Sequence, residues 1–150
     1  MKEIDHKTVE QAQGMPAHYP MCNRSDCPLA QQCLRGIHYP QHAMDTYLTL
    51  VNPQIPHALG TNCPHYRDST PVCFARGFKA SYDAIYPEHI RTEFRNRCMH
   101  ALGASRSLFY YQVAGDRVLT PIQQQKIQDV ARQMNINRIT FTHTFLAPQW

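Results

Sequence analysis

CNRSDCPLAQQC, residues 22–33, holds three of the six cysteines of the chain within twelve positions, and a fourth follows at Cys63. The spacing C-x4-C-x5-C-x29-C is that of a candidate four-sulfur metal site, because soft thiolates select zinc, iron–sulfur clusters or copper. The x5 gap is wider than the pairs of most structural zinc sites. Chains that hold clusters tolerate wider gaps and often carry Cys-Pro at a ligand, as Cys27-Pro28 and Cys63-Pro64 do here. Cys22, Cys27, Cys33 and Cys63 are therefore expected to hold an iron–sulfur cluster, with zinc as the alternative. The competing reading makes them small buried hydrophobes in a Pro-rich fold. His65, in one of three His-Tyr pairs, is a secondary candidate ligand.

Working outward, the chain has 150 residues, enough for a single compact protein (1–150) with a real core. Most of its 11 prolines precede residue 72, so 15–70 should be a loop-rich half in need of a staple. The start of the chain shows no apolar targeting segment, and no run reaches the roughly 18 apolar residues of a membrane span. A cytoplasmic, non-membrane protein is expected, where thiols stay reduced and serve metal chemistry better than disulfides. Residues 1–70 hold five Lys/Arg against six Asp/Glu, whereas 71–150 hold ten against five. A basic second half points to an anionic partner, of which DNA is the leading choice.

Local signals predict an α+β, mainly helical fold. Lys2–Gln13 reads as a frayed helix or arm, Pro28–Leu34 as a short helix, Thr46–Val51 as a strand and 53–60 as a return loop. Phe74, Phe78, Tyr82 and Ile85 recur at helical spacing. Pro87–Leu102 is the clearest helix, with Ile90, Phe94, Cys98, Ala101 and Leu102 on one stripe and Gly103 as its left-handed end. Two readings compete for 105–119: a helix capped by Ser105, which is carried forward, and a hairpin LFYYQV–AGD–RVLT. Thr120-Pro121 starts a further helix with Ile127, Val130, Ala131 and Met134 buried. Ile139, Phe141, His143 and Phe145 alternate with threonines and read as a strand or an extended tail.

A helix ending at Leu102-Gly103, a short turn and a helix opening on Ser105-Arg106-Ser107 resemble a helix-turn-helix. In that arrangement Arg106 and Ser107 would meet base edges, while Arg95, Arg97 and Arg117 would contact phosphates. Met99 stands where a small residue usually lets the helices cross closely. Cys98 and His100 lie two positions apart on a helix, do not face each other and have no orienting third group, so they carry no nucleophile reading. No phosphate-cradling loop, nucleophile elbow or HExxH helix appears, and an enzyme is not the expected class.

The run MPAHYPMCNRSDCPLAQQCLR (15–35), with LVNPQ (50–54), CPHYRDSTPVCFARGF (63–78), LTPIQQQKI (119–127) and a terminal Trp150, resembles a family of short, uncharacterised bacterial proteins, a domain of unknown function. The resemblance covers nearly the whole chain and implies no activity, ligand or functional residue. The sequence reading is thus a metal-stabilised, DNA-binding or regulatory protein, with a basic helical half at 71–150. Its alternative is a structural protein–protein adaptor with a purely structural metal, or none.

Overall fold

The computed structural model describes residues 15–52 and 62–150. The expected arm at Lys2–Gln13 and return loop at 53–60 lie outside them. The chain divides into two compact units: Met1–Val72 with Ala147–Trp150, and Cys73–Leu146. The fold is α+β, with five helices and a small three-stranded antiparallel sheet among the described residues.

In the first unit a 3-10 turn at Ala30–Gln32 leads into α1, Leu34–His42. The helix expected over Pro28–Leu34 thus starts six residues late. Cys33 is extended (φ −104°, ψ 123°) and bridges to Asp68, which separates the turn from α1. Gly36 lets the two pack, since a Cβ there would lie 2.6 Å from the Ala30 carbonyl oxygen. The strand expected at Thr46–Val51 is reduced to one parallel bridge, Leu50 with Met21. It is made by Met21 N–H donating to Thr49 O and Val51 N–H to Met21 O. Without a second paired neighbour, β-branched composition alone does not build a ladder.

Apart from the end residues Val72 and Ala147, which belong to the first unit, the second unit carries β1 (Val72–Arg76), α2 (Lys79–Asp83), α3 (Glu88–Leu102), α4 (Arg106–Ala114), β2 (Val118–Leu119), α5 (Pro121–Gln133) and β3 (His143–Ala147). The sheet order is β2-β1-β3, with Ala75 opposite Leu119 and Arg76 opposite Val118. The helical spacing from Phe74 to Ile85 proves to span two elements. Phe74 lies in β1, Gly77 turns the chain at φ +64°, and Tyr82 falls in α2. Phe78, Tyr82 and Ile85 join one core together with Ala75, whereas Phe74, buried on the other face of β1, stacks on Phe145 at 5.9 Å.

That core gathers Phe78, Tyr82, Phe94, Phe109, Leu119 and Ile127 around Cys98. Phe94 and Cys98 are the fully buried points of the predicted α3 stripe, and Ile90, Ala101 and Leu102 pack at its margin. Gly103 closes α3 in the left-handed region (φ 61°). Residues 105–119 choose the helix over the hairpin: the Ser105 hydroxyl accepts from Leu108 N–H, and Gly115 (φ 99°) ends α4. Thr120 and Gln123 form a full capping box on α5. The alternating run begins later than expected, because Gln128 serves as Ile139's partner. The Gln128 side chain accepts from Ile139 N–H at 3.1 Å and donates to its carbonyl at 2.6 Å.

Candidate functional site

The second unit presents its basic residues on two different faces of α3. Residues 95 and 97 are about 200° apart around a helix, so they cannot share a face. Arg97 ion-pairs with Glu93, one turn earlier, and lines a groove with Lys126 and Asp129 of α5. Arg95 points to α4, where its Nη1 donates to the Tyr110 hydroxyl at 3.2 Å and its Nε reaches the Asn96 side-chain oxygen at 3.3 Å.

Around Tyr110 the cluster continues. The Arg106 guanidinium lies 5.9 Å from the centroid of the Tyr110 ring, and Arg91 of α3 lies 6.0 Å from that of Tyr82. The two tyrosine rings meet edge to face at 6.4 Å. Burial pushes the Tyr82 hydroxyl up to about 12, with the adjacent Tyr110 adding to the shift. Tyr110 moves the other way. The hydrogen bond from Arg95, then its contact with Tyr82, holds it below the ordinary phenol value.

Arg106 and Ser107 stand exposed in the first turn of α4, whose inner face buries Phe109, Gln112 and Val113. Exposed Tyr111 continues the outer face. Arg117 lies beyond the end of α4, exposed, with its backbone N–H donating to Tyr111 O. Of the five residues predicted to meet nucleic acid, Arg95, Arg106 and Ser107 thus gather at one end of α4. Arg117 lies past its other end, and Arg97 faces the α5 groove. Tyr82, Arg91 and Tyr110 were missed by the sequence reading. The signal available was the i, i+4 spacing of Arg91 and Arg95, which aligns two guanidinium groups along one helix face.

In the first unit the cysteine-bearing segments are laced through backbone. Cys22 N–H donates to Arg35 O, Leu34 N–H to Arg67 O, Ser69 N–H to Gln32 O, and Tyr66 N–H back to Cys63 O. Arg35, only 9% exposed, ties the same segments with its side chain. Its Nε donates to His65 O at 2.9 Å and its Nη1 to Pro20 O at 2.6 Å, while its guanidinium stacks over Tyr19 at 4.8 Å. Cys33 is buried and Cys22, Cys27 and Cys63 are half-buried; no disulfide forms among the six cysteines. Among the described residues no three Cys, His, Asp or Glu side chains converge into a group that could hold a metal. As placed, the four thiols do not form a four-sulfur site, although backbone hydrogen bonds join the segments that carry Cys22, Cys33 and Cys63.

Fold and surface together define a small α+β protein, and no described helix is long and apolar enough to cross a membrane. The chain belongs to a family of unknown function, DUF6078, whose model matches residues 2–144. No curated protein and no solved structure matches it.

Proposed function

We propose that the protein binds duplex DNA through α3 and α4, arranged as a helix-turn-helix with α4 as the reading helix. The observation that carries this is the opening of α4. Ser105 caps the helix two residues after the left-handed Gly103, and it leaves Arg106 and Ser107 exposed beside the Arg95–Tyr110 pair. A helix entering the major groove by its N-terminal end meets bases with its first residues, and the preceding helix crosses the backbone. Arg106 suits guanine, Ser107 either base type, and Arg95 and Arg117 suit phosphates. Met99 is half-buried against the core, and a flexible thioether adapts to close packing where the motif usually has a smaller side chain.

Fluorescence anisotropy with a labelled random-sequence duplex tests the reading. Affinity should fall steeply between about 50 and 200 mM salt, as counterion release requires. Arg106→Ala should weaken binding several-fold with the fold intact. Affinity that is absent, or indifferent to salt, favours the adaptor alternative.

In the same reading Cys22, Cys27, Cys33 and Cys63 hold an iron–sulfur cluster or zinc that stabilises the first unit. Its support is the cysteine spacing together with the backbone knot. Metal analysis and an absorption spectrum on protein purified without oxygen decide it. Iron with sulfide, or about one zinc per chain, upholds the ligand set. A metal-free protein leaves Arg35 and the backbone lacing as the staple.

A further inference from the structure

We propose that Arg91 and Arg95, set around Tyr82 and Tyr110, form a seat for a backbone phosphate of the bound duplex, beside the base-reading Arg106. The proposal rests on the DNA reading and adds Arg91 and Tyr110 to it. Three helices supply the seat: Tyr82 from α2, Arg91 and Arg95 from α3, and Tyr110 from α4, whose Arg106 borders it.

What distinguishes this place is that three guanidinium groups without an ion pair stand around one pair of tyrosines; Arg76, Arg117, Lys126 and Arg138 of the second unit are likewise outside the ion pairs among the described residues. Elsewhere in the second unit Lys79 pairs with Asp83, Arg97 with Glu93 and Arg132 with Asp129. Among the described residues none of Arg91, Arg95 and Arg106 is in an ion pair. Asp83, next to Arg91, gives its carboxylate to Lys79 and offers Arg91 only a backbone carbonyl at 3.4 Å. Three guanidinium groups gathered without a counter-charge repel one another, and a bound anion relieves that repulsion.

The geometry selects a phosphate oxyanion. Arg91 and Arg106 lie at the outer reach of a cation–π contact, 6.0 and 5.9 Å from a tyrosine ring centroid, which leaves their N–H edges available for oxygens. Arg95 is held by Tyr110 and Asn96 rather than by an acid. Tyr110 accepts from Arg95, so its own proton is available to a further acceptor. The depression of its pKa makes it the stronger donor. The seat also lies beside the N-terminal turn of α4, which is where a phosphate of the flanking strand falls when that turn enters the groove.

The test compares wild type, Arg91→Ala, Arg95→Ala, Arg106→Ala and, as control, Arg132→Ala on α5, with circular dichroism to verify folding. On the random-sequence duplex, Arg91→Ala and Arg95→Ala should each lower affinity about threefold to tenfold. Each should also flatten the slope of log affinity against log salt by about one. Arg132→Ala should bind within about twofold of wild type. If Arg91→Ala and Arg95→Ala bind as wild type while Arg106→Ala is weakened, the seat is overturned and the reading helix stands. If wild type binds no duplex, the DNA reading fails, and the seat is judged by titrating pyrophosphate against the arginine Nε–H NMR signals. Shifts at Arg91 and Arg95 but not Arg132 keep it as a phosphate site; equal or absent shifts end it.

Discussion

Gly77 and Gly115 meet backbone against backbone: a Cβ added to Gly115 would lie 3.4 Å from both the Cα and N of Gly77. Both residues have positive φ, +64° and +99°. The contact fixes the end of α4 against the turn that follows β1, where Phe78 N–H donates to Val113 O. Substitution by alanine adds left-handed strain of about 1–2 kcal/mol at either site. At Gly77 it adds crowding as well, since a Cβ would sit 3.1 Å from Thr142 Oγ1. Urea unfolding should show each variant destabilised by about 1–3 kcal/mol. The double variant should cost less than the sum, because touching residues are coupled. Strict additivity would mean that the two turns do not support each other.

The two helix caps of the second unit separate stability from binding. Ser105→Ala and Thr120→Ala each remove an accepted hydrogen bond at a helix start, so each should cost about 1 kcal/mol in chemical denaturation. Only Ser105 sits beside Arg106 and Ser107. Ser105→Ala should therefore also weaken duplex affinity, whereas Thr120→Ala should leave it within about twofold. Equal effects of the two on DNA would detach the reading face from the first turn of α4.

Where local chemistry dictates local geometry, the chain could be read directly. Gly103, Ser105 and Thr120-Pro121 mark their helix boundaries within a residue, because left-handed caps and hydroxyl caps are short-range signals. The aromatic stretch 108–113 was ambiguous by composition, and burial of Phe109 and Val113 on one helical face resolves it. The run from Phe74 to Ile85 misled because buried aromatics at spacing four do not reveal whether one element or two supplies them. Arg106 was legible as a basic position, and its partner Tyr110 follows one turn later on the same helix, but Arg95 meets Tyr110 from the preceding helix and Tyr82 comes from a third, so no local pattern joins 82, 95 and 110. The cysteine spacing was legible as a pattern, while the placement of the four thiols depends on pairings such as Cys33 with Asp68 that spacing does not encode.

In the first unit, Arg35→Met should be strongly destabilising. The methionine keeps much of the apolar stem but leaves the carbonyls of Pro20 and His65 without this donor and removes the stacking on Tyr19. Hydrogen bonds from a charged donor are worth about 1.5–3 kcal/mol each, so a loss of about 2–4 kcal/mol is expected in thermal or urea melts. Arg35→Lys, which lacks the planar fork, should rescue little of it. A variant as stable as wild type would show that the segments are held by something other than this side chain.

His38 should make the first unit sensitive to acid. Burial depresses its pKa, opposed by a hydrogen bond with Gln41 and reinforced by His42, and its ring lies 4.7 Å from that of Trp150. A histidine with a depressed folded pKa is held neutral in the native state, so unfolding takes up a proton as pH falls below the ordinary 6.5. Its contribution is complete above that value and is lost as pH drops through the folded pKa. His38→Gln should be less stable than wild type at pH 8, and the gap should narrow toward pH 5. A gap independent of pH would assign His38 a purely packing role.

Cys98 and Cys73 should mark opposite extremes of thiol reactivity in the second unit. Cys98 is fully buried among Phe94, Phe109 and Ile127, and burial pushes its thiol up to about 12, so the nucleophilic thiolate is absent near neutral pH. Cys73 is exposed on β1. With a chromogenic disulfide reagent at pH 8, a variant keeping only these two cysteines should show one rapidly reacting thiol when folded and a second only after denaturant is added. The linkage has a second consequence. The unfolded chain ionises Cys98 near its ordinary 9.0 while the folded protein does not, so stability falls as pH rises above that value, and Cys98→Ala should remove this loss. Rapid modification of both thiols in the folded variant would mean that the core around Cys98 opens readily, and the α3 stripe would then be less firmly packed than Phe94 and Cys98 indicate.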